Sequence, residues 1–193
     1  MIKDNWNSGY EWKSRARLIF IVSFLVTPLL LSAAYSANDS LIGSSAPSFK
    51  VISGDKEALT LDDLKGKVAV LFYEAKTAIE QNRKLKTGLD VFYDEQPDSV
   101  KKDIVRIGVI DCQGVLFRRE WEKNLRHNSE KEGLTIYGDW DGKMSADYHT
   151  KGDESNVIIV DKKGLIRYYV SGQVEDKDIG AIEDLLKSLI KEN

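Results

Sequence analysis

The chain has 193 residues, with 28 Lys and Arg against 31 Asp and Glu and a formal net charge of −3. That balance lacks the clustered basic face of nucleic-acid binders, so no nucleic-acid partner is expected. One cysteine, Cys112, and two histidines, His127 and His149, exclude an internal disulfide framework and a zinc site of cysteines and histidines; neither metal nor cofactor is expected.

The first 37 residues read as a secretory signal peptide. A basic segment, Lys13 to Arg17, precedes the apolar run Leu18 to Leu31 and the small residues Ser32 to Ala37. Basic, apolar and small-residue segments in that order form the exported-protein pattern, with the cut expected between Ala34 and Asn38. Pro28 and the shortness of the apolar run favour a processed signal over a membrane span. The alternative is an uncleaved anchor helix, and a membrane is a partner only if that segment is retained. No cysteine follows the apolar run, so a lipid anchor is not indicated. Residues 38–193 have the size of one domain, with a periplasmic or secreted location expected.

Ser44 to Phe49 reads as an extended lead-in, followed at Leu59 by a short strand and one helical turn ending at Gly66, a residue suited to the left-handed position after a helix. Val68 to Tyr73 is apolar without a break, the pattern of a strand buried on both faces. A helix is expected from Ala78 to about Glu95, with Ile79, Asn82, Leu85, Leu89 and Phe92 on one stripe and Pro97 as its stop. Ile104 to Ile110 is the next strand, ending at Asp111 and Cys112. Phe117, Trp121 and Leu125 step by four on a helix closing near Gly133. Leu134 to Tyr137 reads as a strand, and Asp141-Gly142 as a turn. Asn156 to Val160 and Leu165 to Val170 form a hairpin around Asp161 to Gly164, and Ile179, Ile182, Leu186, Leu189 and Ile190 mark a final helix. Strands joined through helices need crossover connections, so the front of the sheet is parallel and the hairpin adds antiparallel strands. The fold class is α/β, a mixed sheet with helices on both faces.

This order resembles the thioredoxin fold. Gly66 to Leu71 is similar to the corresponding strand of thiol reductases and peroxiredoxins, and Val157 to Ile166 to their hairpin. The resemblance implies a reactive cysteine pair opening the helix after the first buried strand, where the helix N-terminus lowers a thiol pKa. The corresponding residues here are roughly Ala78-Ile79-Glu80-Gln81, and Ser155 stands at the cis-proline position before the hairpin. A closer resemblance is to the YtfJ-type periplasmic proteins, a thioredoxin-like family without the pair. It rests on Gly66-Lys67-Val68, on Ala78, Glu80, Asn82 and Leu85, on Ser155 to Gly164 and on the leucine-rich last helix. The loop from Leu71 to Ala78 looks shorter here than in that family. The resemblance implies export and the fold, and no established reaction.

Thr77-Ala78-Ile79-Glu80 fits a capping box, which would merely finish a helix start. Its functional alternative is an anion or peptide carboxylate held by the free amides near Lys76, which the Glu80 charge opposes. Cys112 lies at the strand edge where open α/β sheets bind ligands. It reads either as a small buried hydrophobe or as a thiol made reactive by Arg118 and Arg119. Asp139 to Gly142 looks like half a calcium loop, but its glycine comes too early and Lys143 replaces a ligand, so a turn is expected. His149 reads as a surface residue, and Arg83, Lys84 and Lys86 as a solvated helix face, with Glu80 and Lys84 paired.

The expected function is an exported binding or accessory module without dithiol chemistry. It would hold an extended peptide, such as a segment of an exported protein, or a small ligand around Lys76, Thr77, Glu80, Asp111, Cys112 and Ser155. The alternative is a one-cysteine reductase or peroxidase acting through Cys112.

Overall fold

The computed structural model describes residues 39–192. The signal-peptide reading falls outside them. Seven strands form one sheet in the order β2-β1-β5-β4-β3-β6-β7. The central strands are β3 (Val68–Glu74), β4 (Ile104–Asp111) and β5 (Ile136–Asp139), all parallel. The hairpin β6 (Ser155–Val160) and β7 (Ile166–Ser171) adds to β3 antiparallel. On the other side β1 (Lys50–Ser53) pairs antiparallel with β5 and carries β2 (Ala58–Thr60) at the edge. The parallel front and antiparallel hairpin are those expected. The strand β1 was not, because only Val51 and Ser53 of its four residues are buried.

All seven residues of β3 are buried, as an unbroken apolar run requires. Burial of each large side chain there contributes about 1.5–3 kcal/mol. Strand alternation divides them between two cores. Ala69, Leu71 and Tyr73 face α4 (Lys143–Tyr148) and the lead-in segment. Val68, Val70 and Phe72 face α1 (Arg83–Asp94) and α5 (Asp176–Lys191). A third cluster, with Ile110, Cys112 and Leu125 at its centre, lies under α3 (Arg118–Glu132).

Two turns obey their local chemistry. The Thr60 N–H and hydroxyl both donate to Asp63 Oδ2, at 2.8 and 2.6 Å, starting a 3-10 turn over Leu61–Leu64. Gly66 follows it at φ +77°, and Gly133 closes α3 at φ +66°. Both are left-handed positions that a Cβ disfavours.

One helical expectation needs correction, and two short helices were not anticipated. The helix after β3 begins at Arg83 rather than Ala78; a 3-10 turn, Lys76–Ala78, and four further residues precede it. Asn82 ends the delay, because its side chain serves another segment. Nδ2 donates to the Gly172 carbonyl at 2.9 Å, and Oδ1 accepts from the Val174 N–H at 2.8 Å. Pro97 precedes a short helix, α2 (Asp98–Lys101), rather than only ending one. The Asp139–Gly142 turn opens α4, whose six residues are too few for a periodic signal. No helix among the described residues is long and apolar enough to cross a membrane.

Candidate functional site

The C-terminal edge of the parallel strands is built from the end of β3, the following loop, the β4–α3 connection and the start of β6. Glu74 ends β3 opposite Ser155 in the β3–β6 register. Its carboxylate is only 3% exposed. Ser155 Oγ donates to Glu74 Oε1 at 2.7 Å, and Lys86 Nζ donates to Oε2 at 2.7 Å. Lys86 reaches back one turn of α1, donates also to the Ile79 carbonyl at 3.0 Å, and lies 5.2 Å from the Phe72 ring centre. The Ser155 N–H donates to Gln81 Oε1 at 2.7 Å. Burial pushes the Glu74 pKa up, while Lys86 and Ser155 pull it back.

These contacts fill the place where the resemblance puts a cysteine pair and its proline neighbour. Ser155 is fully buried, with its hydroxyl and its N–H both engaged inside the fold. Lys86, read from sequence as part of a solvated face, is the half-buried partner of the buried Glu74. Neither Glu74 nor Gln81 was among the sequence candidates: a glutamate ending an apolar run and a glutamine in a loop both look like ordinary solvent-facing residues.

The Thr77–Glu80 capping box does not form. Glu80 lies ahead of α1, and its two oxygens accept from Arg83 Nε and Nη2 at 3.0 and 2.7 Å. Arg83 bridges onward to Glu132 of α3 at 2.7 Å. The Glu80–Lys84 pairing is replaced in the same way, since Lys84 pairs with Asp176 of α5. Thr77 and Lys76 are exposed, with Lys76 Nζ 5.7 Å from the Trp121 ring centre.

Cys112 is 1% exposed, under α3. Its sulfur packs so close to β5 that a Cβ on Gly138 would lie 3.0 Å away. Burial, then the Asp111 and Asp139 carboxylates, push the thiol up to about 12. Arg118 opposes them with the smallest effect, and its guanidinium stacks 4.4 Å from the Trp140 ring centre. The expectation that Arg118 and Arg119 could favour a thiolate is thus corrected: at neutral pH the sulfur is a protonated core atom.

Asp111 takes the other face of the sheet, where it stands opposite Asp139 in the β4–β5 register. Its carboxylate accepts from the Gln113 N–H at 2.9 Å. Asp139, read from sequence only as part of a turn, is fully buried. Its Oδ2 accepts from Tyr73 Oη at 3.1 Å and from the Ser145 N–H of α4 at 3.0 Å. Its sequence separation from Tyr73 hides the contact, and the turn chemistry around it conceals its burial. Burial raises the Asp139 pKa, and Asp141 adds to the rise.

The folded state therefore holds the Asp139 proton more tightly than the unfolded chain. Stability from this group is full below the ordinary carboxylate pKa, about 3.9, and is lost as pH rises through the raised value. In urea unfolding across pH, Asp139→Asn should remove part of this slope, because an amide keeps the carbonyl acceptor without ionising. Identical slopes in wild type and variant would refute the assignment.

The loop after β4 carries the largest exposed apolar groups of the edge. Leu116 and Phe117 are 75% and 77% exposed. Phe117 stands just before α3 at φ +60°, ψ +55°, a strained left-handed position for a bulky residue. The expected stripe Phe117, Trp121, Leu125 is corrected accordingly: only Leu125 is buried, Trp121 is half-buried and Phe117 faces solvent. His127 and His149 are exposed. Among the described residues, no group of three or more His, Cys, Asp or Glu could hold a metal ion.

No protein-family profile and no curated protein matches the chain. Solved structures do. The pneumococcal exposed lipoprotein thioredoxin of Streptococcus pneumoniae is 21% identical, with TM-score 0.53 over 74% of this chain and 100% of that one. The thioredoxin domain of a thiol-disulfide oxidoreductase from Bacteroides vulgatus is 21% identical, with TM-score 0.54 over 75% and 97%. An uncharacterized conserved protein from Geobacillus kaustophilus is 15% identical, with TM-score 0.59 over 78% and 82%. At these identities the likeness is one of fold, and activity has to be argued from the site. The chain carries a thioredoxin-like α/β fold in which the strand edge holds a buried Glu74 paired with a half-buried Lys86, and the one cysteine is sealed in the core.

Proposed function

We propose that the protein is an exported, thioredoxin-like binding module without redox chemistry, which holds an extended peptide segment of a partner at the C-terminal edge of its parallel strands. The observation that carries this reading is the pair Leu116 and Phe117. Two large apolar side chains stand in solvent, and one of them is kept in a strained backbone conformation beside the edge. Strain and exposure both cost stability, and their coincidence at a strand edge points to a contact made with something else. Trp121, one helical turn on from Phe117, and Lys76, whose Nζ lies 5.7 Å from the Trp121 ring centre, adjoin this pair. The YtfJ-type resemblance and the signal-peptide pattern of the first 37 residues support export.

The one-cysteine redox alternative finds no support in a buried thiol pushed up to about 12. Insulin-reduction and peroxidase assays are expected to give no turnover with wild type or with Cys112→Ser.

The binding reading is tested on an array of immobilised random-sequence peptides. Wild type should retain a discrete set rich in apolar residues. The double variant Leu116→Ser, Phe117→Asn should lose that set by about tenfold or more, a loss of at least about 1.4 kcal/mol. Asparagine tolerates the left-handed conformation, so the variant should fold. Equal retention by both proteins, or none by wild type, would overturn the reading.

A further inference from the structure

A fixed cation stands next to the exposed apolar pair. Arg118 follows Phe117 directly and is the first residue of α3. Two contacts hold its side chain. Its Nε donates to Glu122 Oε1 at 3.0 Å, one helical turn on, and only 13% of the Glu122 side chain is exposed. Its guanidinium carbon lies 4.4 Å from the Trp140 ring centre. Trp140 and Trp121 both pack on the cluster of Ile110, Cys112 and Leu125, so the ring under the cation is anchored to the core of this edge. A free surface arginine loses rotamer freedom when it takes a ligand; here much of that ordering is already made within the fold.

The two contacts occupy Nε and one face of the guanidinium. Among the described residues neither terminal nitrogen, Nη1 or Nη2, meets an acceptor, and 57% of the side chain is exposed. Arginine presents its donors as a planar fork that fits a carboxylate through two parallel bonds. The exposed charge around it favours an anion. Lys76, near Trp121, and Arg119, on the first turn of α3, have no acidic partner among the described residues, and they outnumber Glu120, the acid of that turn. Of the groups an unmodified peptide offers, only a carboxylate is planar, anionic and able to accept two bonds at once.

We infer that Arg118 selects, among peptides at the Leu116–Phe117 surface, those that carry a carboxylate close to an apolar side chain. This selection rests on the peptide-binding reading of that surface. Consecutive Cα atoms lie about 3.8 Å apart, and an extended peptide advances about 3.3 Å per residue, so the carboxylate and the apolar group should stand within about three positions of each other. The carboxylate belongs to an aspartate or glutamate side chain or to the peptide's C-terminus, and both present the same two oxygens. Binding is non-covalent and involves no chemical step.

Three arrays of random-sequence peptides, immobilised through their N-termini, test the selection and separate its two sources. The first contains Asp and Glu and ends in an amide. The second lacks both and ends in a free carboxylate. The third lacks both and ends in an amide. Wild type should retain the first or the second at least about fivefold more strongly than the third, as a hydrogen-bonded charge pair warrants. Preference for the first places the carboxylate on a side chain, and preference for the second places it at the terminus. Arg118→Gln should erase the preference. Should that variant fail to fold, Arg118→Lys decides: it keeps the charge without the fork and should weaken the preference by about threefold or more. Equal retention of the three arrays by wild type overturns the selection and leaves the peptide reading standing. So does a preference that persists in Arg118→Gln, or one unchanged in Arg118→Lys where that variant is used. Retention on none of the arrays overturns both.

Discussion

Lys86→Met is expected to lower stability by about 3 kcal/mol at neutral pH, although methionine is a good helix former and the position looks like a helix surface. The lysine is 19% exposed and the carboxylate it meets 3%. Removing the cation leaves Glu74 ionised in an apolar place with Ser155 as its remaining side-chain donor. Removing both charges should cost far less, because an uncharged pair of similar volume carries no desolvation penalty. Glu74→Gln, Lys86→Met should therefore recover most of the loss, with the glutamine carbonyl still accepting from Ser155. The deficit of the single variant should also narrow as pH falls, since Glu74 already has a raised pKa and becomes neutral by taking up a proton. Urea unfolding of the three proteins at two pH values measures all of this. A single variant as stable as wild type, or a double variant as damaged as the single, would show that the pair does not hold the loop.

Asn82→Leu is the second large effect, and here the sequence pattern and the structure predict opposite signs. Leucine would complete the apolar stripe of Leu85, Leu89 and Phe92, so periodicity alone favours it. The structure makes it destabilising by about 3 kcal/mol, since it strands the Gly172 carbonyl and the Val174 N–H, at about 1–3 kcal/mol for each buried group left unpaired. Asn82 is 2% exposed and joins the start of α1 to the connection between β7 and α5. Hydrogen exchange should locate the damage at Val174 and the first turn of α5. Wild-type stability in this variant would mean that water replaces the amide without cost.

The same residue shows why the fold was more legible than the site. Val68 to Tyr73, the hairpin and the last helix announce themselves through periodicity and turn chemistry, because their burial repeats along the chain. Elements with one or two buried positions, such as β1 and α4, leave no such pattern. The site depends on partners brought together from distant positions: Glu74 with Ser155, Asn82 with Gly172, Tyr73 with Asp139. A charge destined for burial looks, in one dimension, like a charge destined for water. Phe117 errs in the opposite direction, since its spacing to Trp121 and Leu125 fits a helix face while its backbone turns the ring outward. The position of Cys112 at the strand end was readable; its enclosure by Gly138, Trp140 and α3 depends on the assembled sheet.

With its sulfhydryl walled in and no second thiol in the sequence to couple with, the domain has no oxidised twin. A dithiol relative changes covalent form with the glutathione potential around it. A single buried thiol closes no intramolecular disulfide, so the described fold carries no cross-link for oxidising or reducing surroundings to make or break.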